Sequence, residues 1–119
     1  MSQIKSYQDL LVWQRSMDLV ESVYRFSNYL PTEEKFGLIA QMCRAAVSIP
    51  SNIAEGFGRQ ASGEYRHHLS IARGSLLELE TQVILCQRLG FLTNELTIPI
   101  LTEITELSKM LATLIGRLR

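Results

Sequence analysis

Glu64 and His67 have the types and the spacing of a metal-binding motif. A Glu-x-x-His sequence on a helix holds iron in some four-helix-bundle proteins, where a second such sequence and further inward-facing glutamates complete the site. This chain has no second Glu-x-x-His sequence, and Glu64 lies at a predicted helix start. His67 and His68 point about 100° apart on a helix and cannot bind one ion together. We therefore predict no metal site, and because no nucleophile–base set or acid–base carboxylate pair stands out, no cofactor and no enzymatic activity.

A polar stripe follows one face of the predicted second helix at intervals of 4, 4, 3 and 4 residues: Arg44, Ser48, Asn52, Glu55 and Arg59. A hairpin of helices 2 and 3 that turns near residue 60 would bring together residues whose numbers sum to about 120. The pairs given by this arithmetic are Arg44 with Glu78, Ser48 with Arg73, and Asn52 with His68. We favour a structural ladder of charge-assisted hydrogen bonds over the alternative, a binding surface. The predicted network consists of Arg44, Ser48, Asn52, Glu55, Arg73 and Glu78.

Arginines also follow one another at intervals of seven residues, at Arg59, Arg66 and Arg73. At least Arg66 and Arg73 share a helix face, and such a row could track the phosphates of a nucleic acid. The chain as a whole has 12 Lys and Arg against 12 Asp and Glu, a formal net charge of zero. A strongly basic nucleic-acid binder is therefore not indicated, and any contact with RNA or DNA is expected to be weak.

Length and composition indicate one folded domain over residues 1–119, since 119 residues are too few for two cores. Hydrophobic residues make up 46% of the chain, which excludes disorder. Cys43 and Cys86 form neither a disulfide framework nor a zinc-binding pattern, and we expect buried, inert thiols. No apolar stretch suits a secretion signal or a membrane span, so we expect a cytoplasmic protein with no membrane partner.

Apolar residues recur at alternating intervals of three and four, the pattern of helices packed at about 20°. Breaks near Pro31, Gly58 and Gly90 divide the chain into four predicted helices, roughly at 7–29, 33–58, 63–89 and 94–118. Short connections make neighbouring helices antiparallel, so we predict an all-α, antiparallel up-down-up-down four-helix bundle. Pro50 lies inside the apolar pattern, and we expect one helix bent there rather than a helix end.

The helices carry more apolar residues than one bundle needs. In helix 1 the stripe taken as the core is Leu10, Trp13, Met17, Val20 and Tyr24. A second stripe beside it is Val12, Leu19, Val23, Phe26 and Leu30. In helices 2 and 3 the stripes taken as the core run from Phe36 to Phe57 and from Tyr65 to Cys86. Helix 3 has extra apolar residues beside its core stripe at Ile71, Leu77, Ile84 and Leu85, and helix 4 has similar ones. They could flank a wide core, but we favour a subunit interface formed by the second stripes, because monomers rarely expose large apolar patches.

The segments 12–14, 41–59 and 69–80 together resemble the bacterial four-helix-bundle family encoded by 23S rRNA intervening sequences, also labelled the S23 ribosomal protein family. The resemblance implies a homopentameric ring without established catalytic activity. The chain is more distantly similar to the accessory protein of diversity-generating retroelements, which binds a reverse transcriptase and nucleic acid through basic residues. Carried over by position, this suggests Arg44, Arg59, Arg66 and Arg73 as nucleic-acid contacts. Many relatives are basic at position 43, where this chain has Cys43.

These observations predict a non-enzymatic homo-oligomer, a pentameric ring, that contacts RNA or DNA weakly. Repetition of a modest arginine patch around the ring would make the second and later contacts effectively intramolecular. The alternative is a scaffold that binds another protein and no nucleic acid.

Overall fold

Four long helices make up most of the protein. A computed structural model describes residues 3–118, and this part of the chain contains no β-strand. The long helices are α1 (Leu11–Phe26), α2 (Ala40–Phe57), α3 (Ser62–Arg88) and α4 (Asn94–Arg117). The prediction of an all-α fold with four long helices is confirmed.

Each long helix packs against two others around a single core. The most extensive contact is between α2 and α3, followed by α3 with α4, α1 with α2, and α1 with α4. The order of the helices around the core is therefore α1, α2, α3, α4. Contacts between α2 and α3 join Met42 to Cys86 and Asn52 to His68, so residue numbers rise on α2 while they fall on α3. This order of contacts is that of a helical hairpin.

On α1 the buried stripe is the second stripe, and the stripe that was predicted as the core is partly exposed. Val12, Leu19 and Val23, placed by the sequence in a subunit interface, are buried within the single chain. Met17 and Tyr24, placed in the core, are 37% and 51% exposed. The prediction that the second stripe of helix 1 faces another subunit is therefore wrong.

The physical reason for this reversal is a serine in the true core stripe. Ser16 completes a pattern of alternating four- and three-residue intervals from Val12 to Phe26, and it is fully buried. The Ser16 hydroxyl donates a hydrogen bond of 2.8 Å to the carbonyl oxygen of Trp13 on the same helix. A buried hydroxyl that is satisfied locally costs little, so the stripe can pack although one position is polar.

On α3 the predicted core stripe is correct. Its residues from Leu69 to Cys86 at that spacing are fully buried. The extra apolar residues of this helix lie at the surface: Ile71, Leu77, Ile84 and Leu85. Exposed apolar residues in excess of the core are therefore present. On α1 they belong to the stripe that was predicted as core, whereas on α3 they are the residues that were predicted as extra.

The helix starts differ from the predictions at α1 and α2. Ser6 and Asp9 form a capping box, but it closes only the short 3-10 helix Tyr7–Asp9, and Leu10 is extended before α1. Before α2 the chain forms a 3-10 helix, Thr32–Glu34, and a segment with π-helical hydrogen bonding, Lys35–Ile39, which is kinked at Gly37, where φ −102° and ψ −113° are not helical. Phe36 lies beside this kink and points outward at 88% exposure, although the sequence assigned it to the core stripe.

Two further local features agree with the sequence. Pro50 lies inside α2, which continues to Phe57. Gly90 has φ 79°, the left-handed conformation expected after a helix end. The bend predicted at Pro50 stays a prediction.

Candidate functional site

A hydrogen-bonded polar ladder joins α2 to α3. The hydroxyl oxygens of Ser48 and Ser75 lie 2.8 Å apart. The Asn52 amide nitrogen donates to the Ser48 hydroxyl at 3.0 Å and to the Ser48 carbonyl oxygen at 2.9 Å. The Asn52 amide oxygen is therefore free to accept from Nδ1 of His68, which lies 3.1 Å away. We call this set of four residues the α2–α3 ladder.

Charged residues continue the ladder toward the turn between the helices. A carboxylate oxygen of Glu55 lies 2.7 Å from Arg59 and 3.9 Å from Nε2 of His68. Arg59 also approaches Glu64 at 3.7 Å. These side chains are largely exposed, apart from His68, so each ion pair is expected to contribute about 1 kcal/mol or less.

The two helices approach each other closely beside His68 of the ladder. A Cβ placed on Gly56 would lie 2.7 Å from the Cβ of His68 and 3.1 Å from the ring of Tyr65. Real Cβ atoms do not tolerate a contact of 2.7 Å, so only glycine fits without displacing α3. Phe57 and Tyr65 pack edge to face, with ring centroids 6.0 Å apart, and close this end of the hairpin.

The predicted pairs of the polar stripe are found in part. Asn52 contacts His68 as the arithmetic predicted, but Ser48 contacts Ser75 and not Arg73. Residues 73 and 75 point about 200° apart on a helix, so both cannot face α2. Arg44 and Glu78 line one polar cavity of about 270 Å³, together with Gln41, Ser48 and Ser75.

The four arginines suggested as nucleic-acid contacts lie on two sides of the molecule. Arg44 and Arg59 belong to the α2 side, where Arg59 is paired with acids. Arg66 donates a hydrogen bond of 2.9 Å to the carbonyl oxygen of Leu118, beside α4. Arg73 lines a cavity between α3 and α4. The structure does not bring these four side chains together within one chain.

One apolar surface, the α1–α2 face, lies along the outer side of α1 and α2. Tyr7 and Trp13 pack edge to face there, with ring centroids 5.2 Å apart. Met17 and Val47 project from the same face at 37% and 41% exposure. The cavity between the two helices is about 360 Å³ and is lined by Tyr7, Trp13, Met17, Val20, Val47, Pro50, Ser51 and Ala54.

A second apolar surface, the α3–α4 face, lies along the outer side of α3 and α4. Its cavity is about 370 Å³ and is lined by Ser70, Arg73, Gly74, Leu77, Ala112, Ile115 and Gly116. A Cβ on Gly74 or on Gly116 would meet nothing within 4 Å. These glycines therefore leave open space, in contrast to Gly56 of α2, which packs closely against the other side of α3.

An ion pair that was not predicted from the sequence joins α1 to α4. Arg15 contacts Glu103 through two hydrogen bonds of 2.9 and 2.5 Å. The hydrogen bond to Glu103 raises the pKa of the Arg15 guanidinium above its ordinary value, although partial burial opposes this shift. The two residues are 88 positions apart, and no local pattern marks them as partners.

The two cysteines differ in their surroundings. Cys86 is fully buried against Met42, and burial, with a contribution from the charge of Glu34, raises the pKa of its thiol to about 11. Cys43 is only half-buried, and burial also raises its pKa, while hydrogen bonds to Tyr24 and Ser27 act in the opposite direction. Both thiols favour the protonated, unreactive form.

The residues that first suggested metal chemistry serve other contacts. Glu64 approaches Arg59, and the ring of His67 packs at 66° against that of His68. Within residues 3–118, no three His, Cys, Asp or Glu side chains are grouped so that they could hold a metal ion. None of the helices in this part of the chain is long and apolar enough to span a membrane.

Comparison with known proteins identifies a family and a similar solved structure. The family model described as 23S rRNA-intervening sequence protein matches residues 8–113. A crystal structure of a protein of unknown function from the S23 ribosomal protein family of Bacteroides thetaiotaomicron VPI-5482 is similar, with 27% sequence identity and a TM-score of 0.82. The similarity covers 88% of this chain and 98% of that chain. A comparison with curated proteins gave no match.

Proposed function

The chain belongs to the family of 23S rRNA-intervening sequence proteins, and from this premise we propose that it is a non-enzymatic subunit of a homo-oligomeric scaffold. The subunit is an antiparallel up-down-up-down four-helix bundle. The short connections from α2 to α3 and from α3 to α4, and the order of contacts between α2 and α3, support this topology. The resemblance noted in the sequence makes five copies in a ring the expected assembly.

The observation that carries this proposal is the apolar surface left over after the core is filled. Twelve large side chains are essentially inaccessible inside one chain, so the core is complete without a partner. Large apolar residues nevertheless remain exposed, among them Met17, Val47, Leu77, Ile84 and Ile98. Extended exposed apolar faces on a soluble domain mark interaction sites, and closed symmetric assembly of identical chains is the commonest way to cover them.

A non-enzymatic role is supported by what the polar residues do. The α2–α3 ladder uses its hydroxyl, amide and imidazole groups to bond one helix to the other. A catalytic set needs a nucleophile or base that faces an accessible substrate site. The polar cavity near Arg44 and Glu78 is small, about 270 Å³. A reducing cytoplasm is the proposed location, because both thiols are free.

Light scattering coupled to size-exclusion chromatography tests the assembly. We expect a mass several times the 13.5 kDa of one chain, with a value near five times that mass for the ring. A mass of one chain at every concentration up to the millimolar range would refute self-assembly.

Weak contact with RNA or DNA is a second candidate function, and the environment of Arg44 favours it. Among residues 3–118 the guanidinium group of Arg44 has no hydrogen-bond or ion-pair partner, and it lies beside the hydroxyl of Ser48 at an open cavity. Arg59, Arg66 and Arg73 would add to this contact when the chain is repeated in a ring. The affinity would come from repetition rather than from one subunit.

Filter binding of RNA and of single-stranded DNA across a salt series separates this function from the alternative. We expect binding that weakens steeply as salt rises, because counterions are released from phosphates. An Arg44→Gln variant should bind less tightly, whereas Arg25→Gln, an exposed arginine on α1, is the matched control. Absence of binding at low salt would leave the alternative, a scaffold that binds another protein and no nucleic acid.

A further inference from the structure

We infer that the polar cavity between α2 and α3 binds an unpaired guanine base of a single-stranded nucleic acid. The inference rests on the proposed contact with RNA or DNA, and it adds the group that is recognised and the residues that recognise it. The cavity is lined by Gln41, Arg44, Ala45, Ser48, Ser75 and Glu78.

The cavity has a buried floor and a polar rim. Ala45 and Ser75 are buried and form the floor. Gln41, Arg44 and Glu78 are exposed and form the rim. The cavity volume of about 270 Å³ lies below the range of pockets that enclose drug-sized ligands. A single nucleobase is smaller than such a ligand, so the cavity suits the edge of one base.

Opposite charges face this cavity without neutralising each other. Arg44 and Glu78 both line it, yet within residues 3–118 neither side chain forms an ion pair. The Arg44 guanidinium group therefore keeps its N–H donors for a bound group. One carboxylate oxygen of Glu78 contacts Gln82, and in the same part of the chain the other oxygen, Oε1, accepts no hydrogen bond.

The two serines at the cavity leave one hydroxyl hydrogen over. The Ser48 and Ser75 oxygens share one hydrogen bond of 2.8 Å, which uses one of their two hydrogens. The Ser48 oxygen also accepts from the Asn52 amide at 3.0 Å, and this bond uses no serine hydrogen. Among the described residues no other acceptor takes the remaining hydrogen. It is available to a group bound beside Arg44.

A buried glutamine holds the carboxylate at the cavity rim. Gln82 lies one turn after Glu78 on α3 and is 5% exposed. Its amide nitrogen lies 3.3 Å from Oε2 of Glu78, whereas its amide oxygen is buried and has no partner within residues 3–118. A buried polar atom without a partner is costly to stability. Since the contact with Glu78 is what the Gln82 side chain provides, we assign Gln82 as a positioning residue for that carboxylate.

The donors and acceptors of the cavity select among ligands. An anion would lie beside the Glu78 carboxylate and a cation beside the Arg44 guanidinium, and both arrangements bring like charges together. A neutral group with acceptors at one edge and donors at the next avoids this cost. Guanine is such a group, because its O6 accepts while its adjacent N1–H and N2–H donate. O6 would accept from Arg44 and the serine hydroxyl, and the two N–H groups would donate to Glu78.

The other bases satisfy the cavity less well. Adenine has no carbonyl oxygen for Arg44, and its N1 is an acceptor that a carboxylate repels. Uracil has a single N–H donor between two carbonyl oxygens. Cytosine offers its amino group to a carboxylate, but guanine alone presents donors on two neighbouring atoms. These edges are open to a protein only in unpaired bases, so the ligand is a single strand.

Fluorescence anisotropy with single-stranded RNA at low salt tests the base preference. The probes are oligouridines of about ten nucleotides that carry one central guanosine, inosine or adenosine, beside the all-uridine strand. We expect the guanosine probe to bind about tenfold more tightly than the all-uridine probe. Inosine lacks the N2 amino group and should lose most of this preference. A 7-deazaguanosine probe keeps O6, N1 and N2 and should retain it.

Glu78→Gln and Glu80→Gln form a matched pair of variants. Each removes one negative charge from α3, but Glu80 lies outside the cavity lining. The preference for guanosine over uridine should disappear in Glu78→Gln and persist in Glu80→Gln. The affinity for the all-uridine probe should change alike in both, because attraction to phosphates depends on charge and not on the base.

Gln82→Met tests the positioning role. Methionine has a similar length and removes the unpaired buried oxygen, so the midpoint of thermal denaturation should not fall. The preference for guanosine should nevertheless fall several-fold, because the Glu78 carboxylate loses its contact with the amide. A lower midpoint with an unchanged preference would show that Gln82 serves the fold alone.

Three results would overturn the inference. Equal affinities for the guanosine, inosine, adenosine and all-uridine probes would show that no base is recognised, while the contact with RNA stands. A guanosine preference that persists in Glu78→Gln would place the recognition outside this cavity. Absence of binding to every probe at low salt would remove the proposed contact with nucleic acid, and the inference with it.

Discussion

The two sides of α3 differ in how closely they are packed against the rest of the chain. Toward α2, the helix is held by the α2–α3 ladder and approaches so closely that a Cβ on Gly56 would collide with His68. Along the outer edge toward α4, Gly74 faces open space. Packing within the single chain therefore requires glycine at position 56, whereas no contact within the chain requires glycine at position 74.

Replacing Gly56 with alanine should produce the largest effect. The added Cβ would lie 2.7 Å from that of His68, and the helices must separate to relieve the contact. Overpacking of this kind costs about 1–3 kcal/mol, and we expect a value near the upper end because the neighbouring atom is close to the backbone. Urea denaturation measures the loss. An unchanged midpoint would show that α2 and α3 are not in close contact at this position.

The next largest effect is expected from Asn52→Ala, which removes the centre of the ladder. The change leaves Nδ1 of His68 without the partner it has now, while the Ser48 hydroxyl keeps only its contact with Ser75. An unpaired, partly buried polar group costs about 1–3 kcal/mol. Ser70→Ala on the other side of α3 is the control, because its hydroxyl is exposed and bonds only within its own helix. Equal losses in the two variants would contradict a special role for the ladder.

The buried thiol of Cys86 predicts a dependence of stability on alkaline pH. Its pKa rises from an ordinary value of 9.0 to about 11 in the fold. The unfolded chain therefore loses this proton first as pH rises, so the free energy of unfolding is unaffected below about pH 9 and falls between about pH 9 and 11. The expected slope is up to about 1.4 kcal/mol per pH unit.

Chemical denaturation of the wild type and of Cys86→Ala across this pH range isolates the contribution. The variant is less stable at neutral pH because it leaves a cavity, but its stability should fall less steeply in alkali. Parallel curves for the two proteins would mean that water reaches the thiol.

Gly74→Ala should raise the stability of the single chain. The added methyl meets no atom within 4 Å, and alanine favours a helix interior by about 1 kcal/mol. Urea denaturation of Gly74→Ala and of the wild type at the same protein concentration measures this gain. A destabilised variant would contradict the open space at Gly74.

The smallest effect is expected at the ion pair between α1 and α4. Both side chains are about one-third exposed, at 33% for Arg15 and 30% for Glu103. Exposed ion pairs contribute about 1 kcal/mol or less, and salt reduces this further. Glu103→Gln should therefore cost less than Asn52→Ala, and Glu106→Gln, whose charge acts on Arg15 without a hydrogen bond to it, should cost less still. A larger loss of stability for Glu103→Gln than for Asn52→Ala would show that the α1–α4 ion pair contributes more to stability than the ladder, contrary to this prediction.

The sequence predicted the number and class of the elements because their apolar period is continuous over long segments. It misassigned the core stripe of α1 because two stripes have the same alternating spacing, and Ser16 interrupts the true one. Choosing between the two stripes requires the positions of the other helices, which the spacing of residues within one helix does not give. The kink at Gly37 separates Phe36 from the helical register of α2, so the spacing that placed Phe36 in the core stripe does not apply there.

The candidate site was predictable only where helix geometry constrains the partner. A hairpin with a short turn places Asn52 opposite His68 by counting alone. The count could not choose between Arg73 and Ser75 for Ser48, because that choice depends on the rotation of α3 about its axis. Arg15 and Glu103 come together only through the order of the helices around the core.

The fluorescence of Trp13 tests most directly whether neighbouring copies cover the α1–α2 face. It is the single tryptophan of the chain and lies in that face. We predict that its emission shifts to longer wavelength on dilution, because dissociation of the subunits exposes the indole ring to water. Emission that stays the same from concentrations at which the chain is assembled down to those at which it is monomeric would contradict the account.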